Sequence, residues 1–161
     1  PIGFFFEMIK STKKELQNLK NSDSNILPTK IQAERLLNEK STKKAYMINL
    51  LELKEMAQYK DKSISITGRE AYVEKYGKQA FKSVILLGGD FAFNGRIIGD
   101  SLIEHNAPLD TQGKWQAIGI AEYTKPSKML ELEKIPGYSK GLIHRDAGLK
   151  RNYNLYATKN T

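Results

Sequence analysis

Residues 45–51 restrict the possible folds of this chain more than any other stretch of its sequence. The segment, AYMINLL, is apolar at both sets of alternating positions apart from Asn49. Side chains of a β-strand point alternately to the two faces of a sheet, so the segment predicts a strand that is covered on both faces. The fold must therefore supply an apolar layer on each side of its sheet.

The order of the other patterns predicts an α+β fold. Thr29 and Thr67 are each followed three residues later by Gln or Glu, the capping-box pattern that begins a helix, and Pro126 predicts the start of a further helix. Alternating segments predict strands at 91–98, 115–123 and 151–158. With the first strand, the order is βαββαβ, the order of a ferredoxin-like antiparallel sheet with two helices on one face.

Such a sheet leaves the second face of the first strand without a cover from its own chain. The same sheet of a second copy is the economical cover, so the sequence predicts a homodimer. The expected fold is a ferredoxin-like sheet that forms a dimeric α+β barrel over residues 27–161, with extra N-terminal helices.

Residues 1–26 are predicted to be an N-terminal helix and linker outside the barrel domain. The apolar run at residues 2–6 contains three Phe and is far shorter than the roughly 20 apolar residues of a membrane span. We expect it to be the stub of a trimmed anchor, which predicts a membrane-anchored or exported protein. In the alternative, the three Phe dock an amphipathic first helix onto the core of a cytoplasmic protein.

Composition excludes several classes of function. The 161 residues include no Cys, which excludes a thiolate nucleophile and Cys-ligated metals. The two histidines, His105 and His144, lack metal-binding spacing, so no metal site is predicted. Lys and Arg number 26 against 18 Asp and Glu, but only five are Arg and the lysines are scattered. This pattern indicates a solvated surface and not specific nucleic-acid recognition.

Several segments together resemble the uncharacterised "domain of unknown function 1330" family over roughly residues 27–158. The segments, which occur in the family's order and approximate spacing, are Tyr46–Lys54, Ser65–Tyr72, Tyr76-Gly77, His144–Leu149 and Tyr156–Thr158. The resemblance implies a dimeric α+β barrel, a superfamily that also contains small monooxygenases, muconolactone-isomerase-like enzymes and haem-degrading proteins. It implies no particular reaction.

The predicted strand at 115–123 suggests a ligand pocket. Alternation places three small residues on one face, bracketed by Trp115 and Tyr123. Small side chains either allow close packing of a helix or leave space for a ligand between aromatic walls. The polar groups of such a pocket are predicted to be Asn49, Arg69, Tyr72, Tyr76 and Arg145. Exposure in the first helical turn is the alternative for Arg69.

His144 has three candidate roles. With Arg145 it is predicted to cap the last turn of the second helix, and the alternative is a proton donor that lines the pocket. The resemblance adds a third role, since haem-binding barrels of this superfamily need only one axial His. No cofactor is predicted from the residues themselves.

Two functions follow from these patterns. The first is a cofactor-independent isomerase or monooxygenase, in which His144 or Tyr76 shuttles a proton and Asn49 or Arg69 stabilises an oxyanion. The second is a ligand-binding or sensing module without turnover, either membrane-tethered or haem-binding. In both, the expected partners are a second copy of the chain and an unidentified small molecule.

Overall fold

The computed structural model describes residues 26–99, 101–106 and 114–160 and has an α+β fold. In chain order the elements are α1 (Lys30–Asn38), β1 (Ala45–Leu53), a π-helical segment (Glu70–Tyr76) continuing into α2 (Gly77–Leu86), β2 (Asp90–Arg96), β3 (Ala117–Tyr123), a 3₁₀-helix (Pro126–Lys134), α3 (Tyr138–Gly148) and β4 (Leu149–Ala157). The predicted α+β class is confirmed, and the predicted order of strands and helices is found except that two helices, not one, lie between β3 and β4.

The four strands form one antiparallel sheet in the order β2-β3-β1-β4. The strand with two apolar faces, β1, is central, and Asn49 at its middle pairs with Gly119 of β3 and Asn154 of β4. β1 and β3 are thus the two inner strands of the sheet.

The helices pack on one face of this sheet and form the main core with it. Met47 of β1 is only 1% exposed and contacts this core. The other buried members are Ala33, Leu36, Ala45, Val84, Ala121, Tyr123, Leu130, Leu132, Tyr138 and Leu142. The opposite face is apolar as well, but its side chains Phe93, Tyr153 and Leu155 are 52%, 52% and 50% exposed in the described chain.

Local capping signals correctly predict where the first two described helices begin. Thr29 and Gln32 form the first capping box. In the second, the Glu70 amide donates to Thr67 Oγ1 at 3.1 Å, and the Thr67 amide donates to Glu70 Oε2 at 2.8 Å. The helix that follows differs from the expected regular α-helix, because its first seven residues are π-helical. A capping box specifies a helix start but not the hydrogen-bond period, which depends on packing.

The helix predicted from Pro126 is two helices. Pro136 disfavours helical geometry at Ile135, which is extended at φ −78° and ψ 123°. Gly137 then adopts a left-handed conformation with φ 87°, and α3 begins at the next residue. His144 and Arg145 therefore belong to a separate helix that runs directly into β4.

The predicted N-terminal helix and membrane anchor fall almost wholly outside the described residues, which begin at residue 26. Within the described ranges, no helix is both long and apolar enough to cross a membrane.

Two glycines make a close backbone contact where the end of β1, the π-helical segment and the end of α3 meet. A Cβ on Gly68 would overlap the carbonyl oxygen of Lys54 and lie 2.8 Å from that of Gly148. A Cβ on Gly148 would lie 2.5 Å from the carbonyl oxygen of Gly68. Hydrogen bonds from the Lys54 amide to Gly148 and from the Gly68 amide to Glu55 hold the contact. We call this contact the glycine crossing.

We predict that Gly68→Ala lowers the free energy of unfolding by about 3 kcal/mol, because the methyl group has no space and backbone atoms must move. Gly119→Ala is the matched control, since its Cβ would have no atom within 4 Å. Urea denaturation followed by circular dichroism measures both variants. Equal stability of the two would contradict the close contact.

Candidate functional site

A cavity of about 1230 Å³ lies between the helix-covered face of the sheet and the helices. Its floor includes Asn49 of β1 and the small residues Ala117, Gly119 and Ala121 of β3. A Cβ at Gly119 would meet no atom within 4 Å. At this position the small side chain borders open space, so close packing of a helix does not explain it.

Four tyrosines and one arginine form a polar wall of the cavity. Tyr72 and Tyr76 come from the π-helical segment, Tyr123 from the end of β3, and Tyr138 and Arg145 from α3. The hydroxyls of Tyr76 and Tyr138 are 3.3 Å apart, and the Tyr72 and Tyr76 ring centroids are 5.2 Å apart. Arg145 Cζ lies 5.8 Å from the centre of the Tyr76 ring. We call the four tyrosines the tyrosine cluster.

The tyrosines of this wall are hydrogen-bond donors at neutral pH, where phenols are protonated. Burial raises the pKa of Tyr72, Tyr123 and Tyr138 further. Burial opposes the charge of Arg145, but nearby Tyr76 and further neighbours outweigh it and raise the pKa of the guanidinium. The wall therefore presents hydroxyl donors and a positive charge to the cavity.

Arg145 is held in the wall by backbone and side-chain contacts. Its Nη2 donates to the carbonyl of Ile26 at 2.6 Å, and its Nε donates to Asp146 Oδ1 at 3.3 Å. These contacts join Arg145 to Asp146 and to the segment before α1.

Asn49 lies in the floor, but its side-chain amide is already engaged. Nδ2 donates to the carbonyls of Met47 at 3.1 Å and Gly119 at 3.3 Å, and Oδ1 accepts from Asn154 Nδ2 at 2.7 Å. Because both donors are used, the predicted role of Asn49 as oxyanion stabiliser would require these bonds to break.

The structure places His144 away from the cavity. Its Nδ1 lies 2.8 Å from the hydroxyl of Tyr59, a residue that is only 4% exposed. The two rings meet edge to face at 5.7 Å. His144 does not line the cavity, so its predicted role as pocket proton donor is corrected. Because no described lining residue is a His, the residues present do not offer an axial His to a haem in this cavity.

Two other predicted ligand residues also lie elsewhere. Arg69 is exposed at the start of the π-helical segment and does not line the cavity. Trp115 packs against Tyr153 at 5.4 Å and Arg151 at 4.9 Å, on the opposite face of the sheet. The reason is that β3 begins only at Ala117, so its alternation does not extend back to Trp115.

Glu133 lines the cavity and was not predicted from the sequence. It follows the buried Leu130 by three residues in the 3₁₀-helix, where residues three apart share a face. Its placement could be anticipated only if the period of that helix were known. Among the described residues, no group of three or more His, Cys, Asp or Glu side chains could hold a metal ion.

The fold and the cavity define a small α+β protein with a ligand-sized space beneath an antiparallel sheet. No family model matches the chain, and no curated protein matches it significantly. It is similar to the crystal structure of methylated RPA0582 protein, with 26% identity, a TM-score of 0.71 and coverage of 86% of this chain and 96% of that one. A second structure, of the RPA0582 protein of unknown function from Rhodopseudomonas palustris, has 26% identity, a TM-score of 0.70 and coverage of 86% and 98%. These similarities support the fold and assign no activity.

The Tyr59–His144 pair predicts a pH-dependent stability. Burial and the positive charge of Lys75 lower the pKa of His144 below its ordinary value. The unfolded chain therefore binds the proton more readily, and the stability contributed by neutral His144 is lost as the pH falls below the unfolded pKa of about 6.5. We expect the free energy of unfolding to decrease between pH 7.5 and pH 5.5, and to decrease less in His144→Gln. An identical pH dependence in urea denaturation of both proteins would refute this.

Proposed function

We propose that this protein is a dimeric α+β barrel that binds a small molecule in the cavity between its sheet and its helices. The observation that carries the proposal is the polar wall, in which protonated tyrosines and Arg145 face a space otherwise lined largely by apolar side chains. Cavities of several hundred Å³ with an apolar lining and a few convergent polar groups are typical ligand sites.

The chemistry of the wall indicates the kind of group that would bind there. Tyr72 and Tyr123 have no hydrogen bond from their hydroxyls to another part of the described chain, and both lie in the cavity lining. Each phenol hydroxyl can donate a hydrogen bond to a ligand in the cavity. An oxygen atom of a ligand, such as a carbonyl or carboxylate, would accept hydrogen bonds from these hydroxyls and be attracted by the positive charge of Arg145.

A carboxylate ligand tests whether Arg145 helps to bind a ligand oxygen in the cavity. We predict that 4-phenylbutyrate binds there. Its phenyl chain matches the apolar floor, and its carboxylate matches Arg145. Because a hydrogen bond to a charged group contributes about 1.5–3 kcal/mol, Arg145→Met should weaken binding roughly 10- to 100-fold in isothermal titration calorimetry. Tyr76→Phe should weaken it less.

Arg69→Met is the matched control, since it removes an arginine that the sequence also predicted but the structure places outside the cavity. It should bind like the unchanged protein. Equal losses at Arg69 and Arg145, or no binding at all, would contradict the proposed site.

The proposal includes the ferredoxin-like topology and the second copy. The strand order β2-β3-β1-β4 with antiparallel neighbours supports this topology. The uncovered face is apolar over all four strands, which soluble proteins rarely leave exposed. By the register of the sheet, its apolar residues include Ile48, Leu50, Phe93, Ile118, Ile120, Tyr153 and Leu155, and the charged Glu52, Glu122 and Arg151 lie towards its ends.

The resemblance to the domain of unknown function 1330 family belongs to the same proposal. Gly68 and Gly148 come from two of the segments that carry the resemblance, and they meet at the glycine crossing. Both positions require glycine because the two backbones touch there. This contact gives a structural reason for the two segments to occur together in one chain.

We predict that Phe93→Glu yields a folded monomer, because it buries a charge at the interface between the two sheets. Phe93 is 52% exposed in the single chain, so the variant itself should fold. Ile31→Glu in α1, at a side chain that is 79% exposed, is the matched control and should remain a dimer. Light scattering after size exclusion measures the mass of each, and a monomeric unchanged protein would overturn the barrel.

A further inference from the structure

The cavity contains one carboxyl group among its described lining residues, that of Glu133. The other charged residues of the lining are Arg35, Lys78 and Arg145. A single carboxyl group in a cavity whose other charged lining residues are basic suggests that this group has a function. The carboxylate of Glu133 makes no hydrogen bond or ion pair with any part of the chain that the structure describes.

Glu133 and Arg145 carry opposite charges and line the same cavity. No nitrogen of Arg145 is within the 4 Å of an ion pair with Glu133. Arg145 instead contacts Asp146 and Ile26, so a ligand that fills the cavity would meet the Glu133 carboxylate and the Arg145 guanidinium as two separate groups.

We propose that Glu133 is the general base and general acid of a proton-transfer isomerase whose substrates are carbonyl compounds with an acidic C–H bond beside the carbonyl. The inference rests on the proposed ligand site, and it adds the substrate class and the catalytic residue. Arg145 and the tyrosine cluster would hold the carbonyl oxygen, and Glu133 would face the adjacent carbon.

The reaction balances without a second reactant. The Glu133 carboxylate takes the proton from the carbon next to the carbonyl, and the C–H electron pair forms a carbon–carbon double bond. The carbonyl π pair moves to oxygen, so an enolate forms against Arg145 and the hydroxyl of Tyr76. The protonated Glu133 then returns the proton to carbon, either at the original position or at a conjugated one, which gives the isomer.

The surroundings of Glu133 suit this role. Burial raises the pKa of its carboxyl group above the ordinary value, and Arg145 limits this rise by favouring the charged form. A carboxylate with a raised pKa is a stronger base than an exposed one. The protonated tyrosines can donate to an enolate oxygen without losing their own protons, because burial raises the pKa of Tyr72, Tyr123 and Tyr138.

Exchange of carbon-bound hydrogen tests the inference. The probe is 2-oxo-4-phenylbutyrate in D₂O, which combines an apolar body with exchangeable protons on the carbon beside its ketone. We expect the protein to accelerate loss of this methylene signal in proton NMR. Glu133→Gln should lower the enzymatic exchange rate roughly 100-fold or more, while calorimetry shows binding of the probe changed less than about threefold.

Glu131→Gln is the matched control, because Glu131 lies in the same 3₁₀-helix but pairs with Lys128 at 3.1 Å and does not line the cavity. It should exchange the probe at the unchanged rate. Binding without accelerated exchange, or full exchange by Glu133→Gln, would overturn the role of Glu133 and leave the proposed ligand site intact. Failure of both 4-phenylbutyrate and the probe to bind would overturn the ligand site itself.

Discussion

The glycine crossing is the constraint on which the rest of this structure depends. At this point the carbonyl of Gly148 accepts from the Lys54 amide at 2.8 Å, and the Gly68 amide donates to Glu55 at 3.2 Å. The contact fixes the start of the π-helical segment against the end of α3 and the end of β1. Tyr76 and Arg145 project from these two helical elements into one wall. The relative position of their side chains therefore depends on a backbone contact that only glycine permits.

The sequence predicted most of the fold because its signals are local. The capping box at Thr67 and the alternation of β1 depend on residues within a few positions of each other, and both appear as expected. The period of the helix after Thr67 depends on packing against the sheet, and the sequence did not reveal that it is π-helical. The break between the two helices coincides with a proline followed by glycine, Pro136-Gly137, a local signal that ends one helix before the next begins.

The site was predicted in part for the same reason. Tyr72, Tyr76, Tyr123 and Arg145 lie in the cavity lining because the helical or strand face that carries each of them is the buried one. His144 differs, because its neighbour Tyr59 comes from a loop 85 residues away whose position no local pattern encodes. Glu133 was missed because a charged residue at the end of a short helix is ordinarily a surface residue, and only the three-residue period brings it to the cavity.

The hydrogen bonds of Asn49 have a consequence for strand pairing itself. A slip of one residue in β1 would exchange its two faces, bringing Ile48 and Leu50 under the helices. Both faces are apolar, so hydrophobic burial discriminates poorly between the two alignments. Asn49 supplies the missing discrimination, because only in the observed alignment can its amide reach the Gly119 carbonyl on one side and Asn154 on the other. A single polar residue thus marks the register of a strand whose two faces would otherwise be nearly interchangeable.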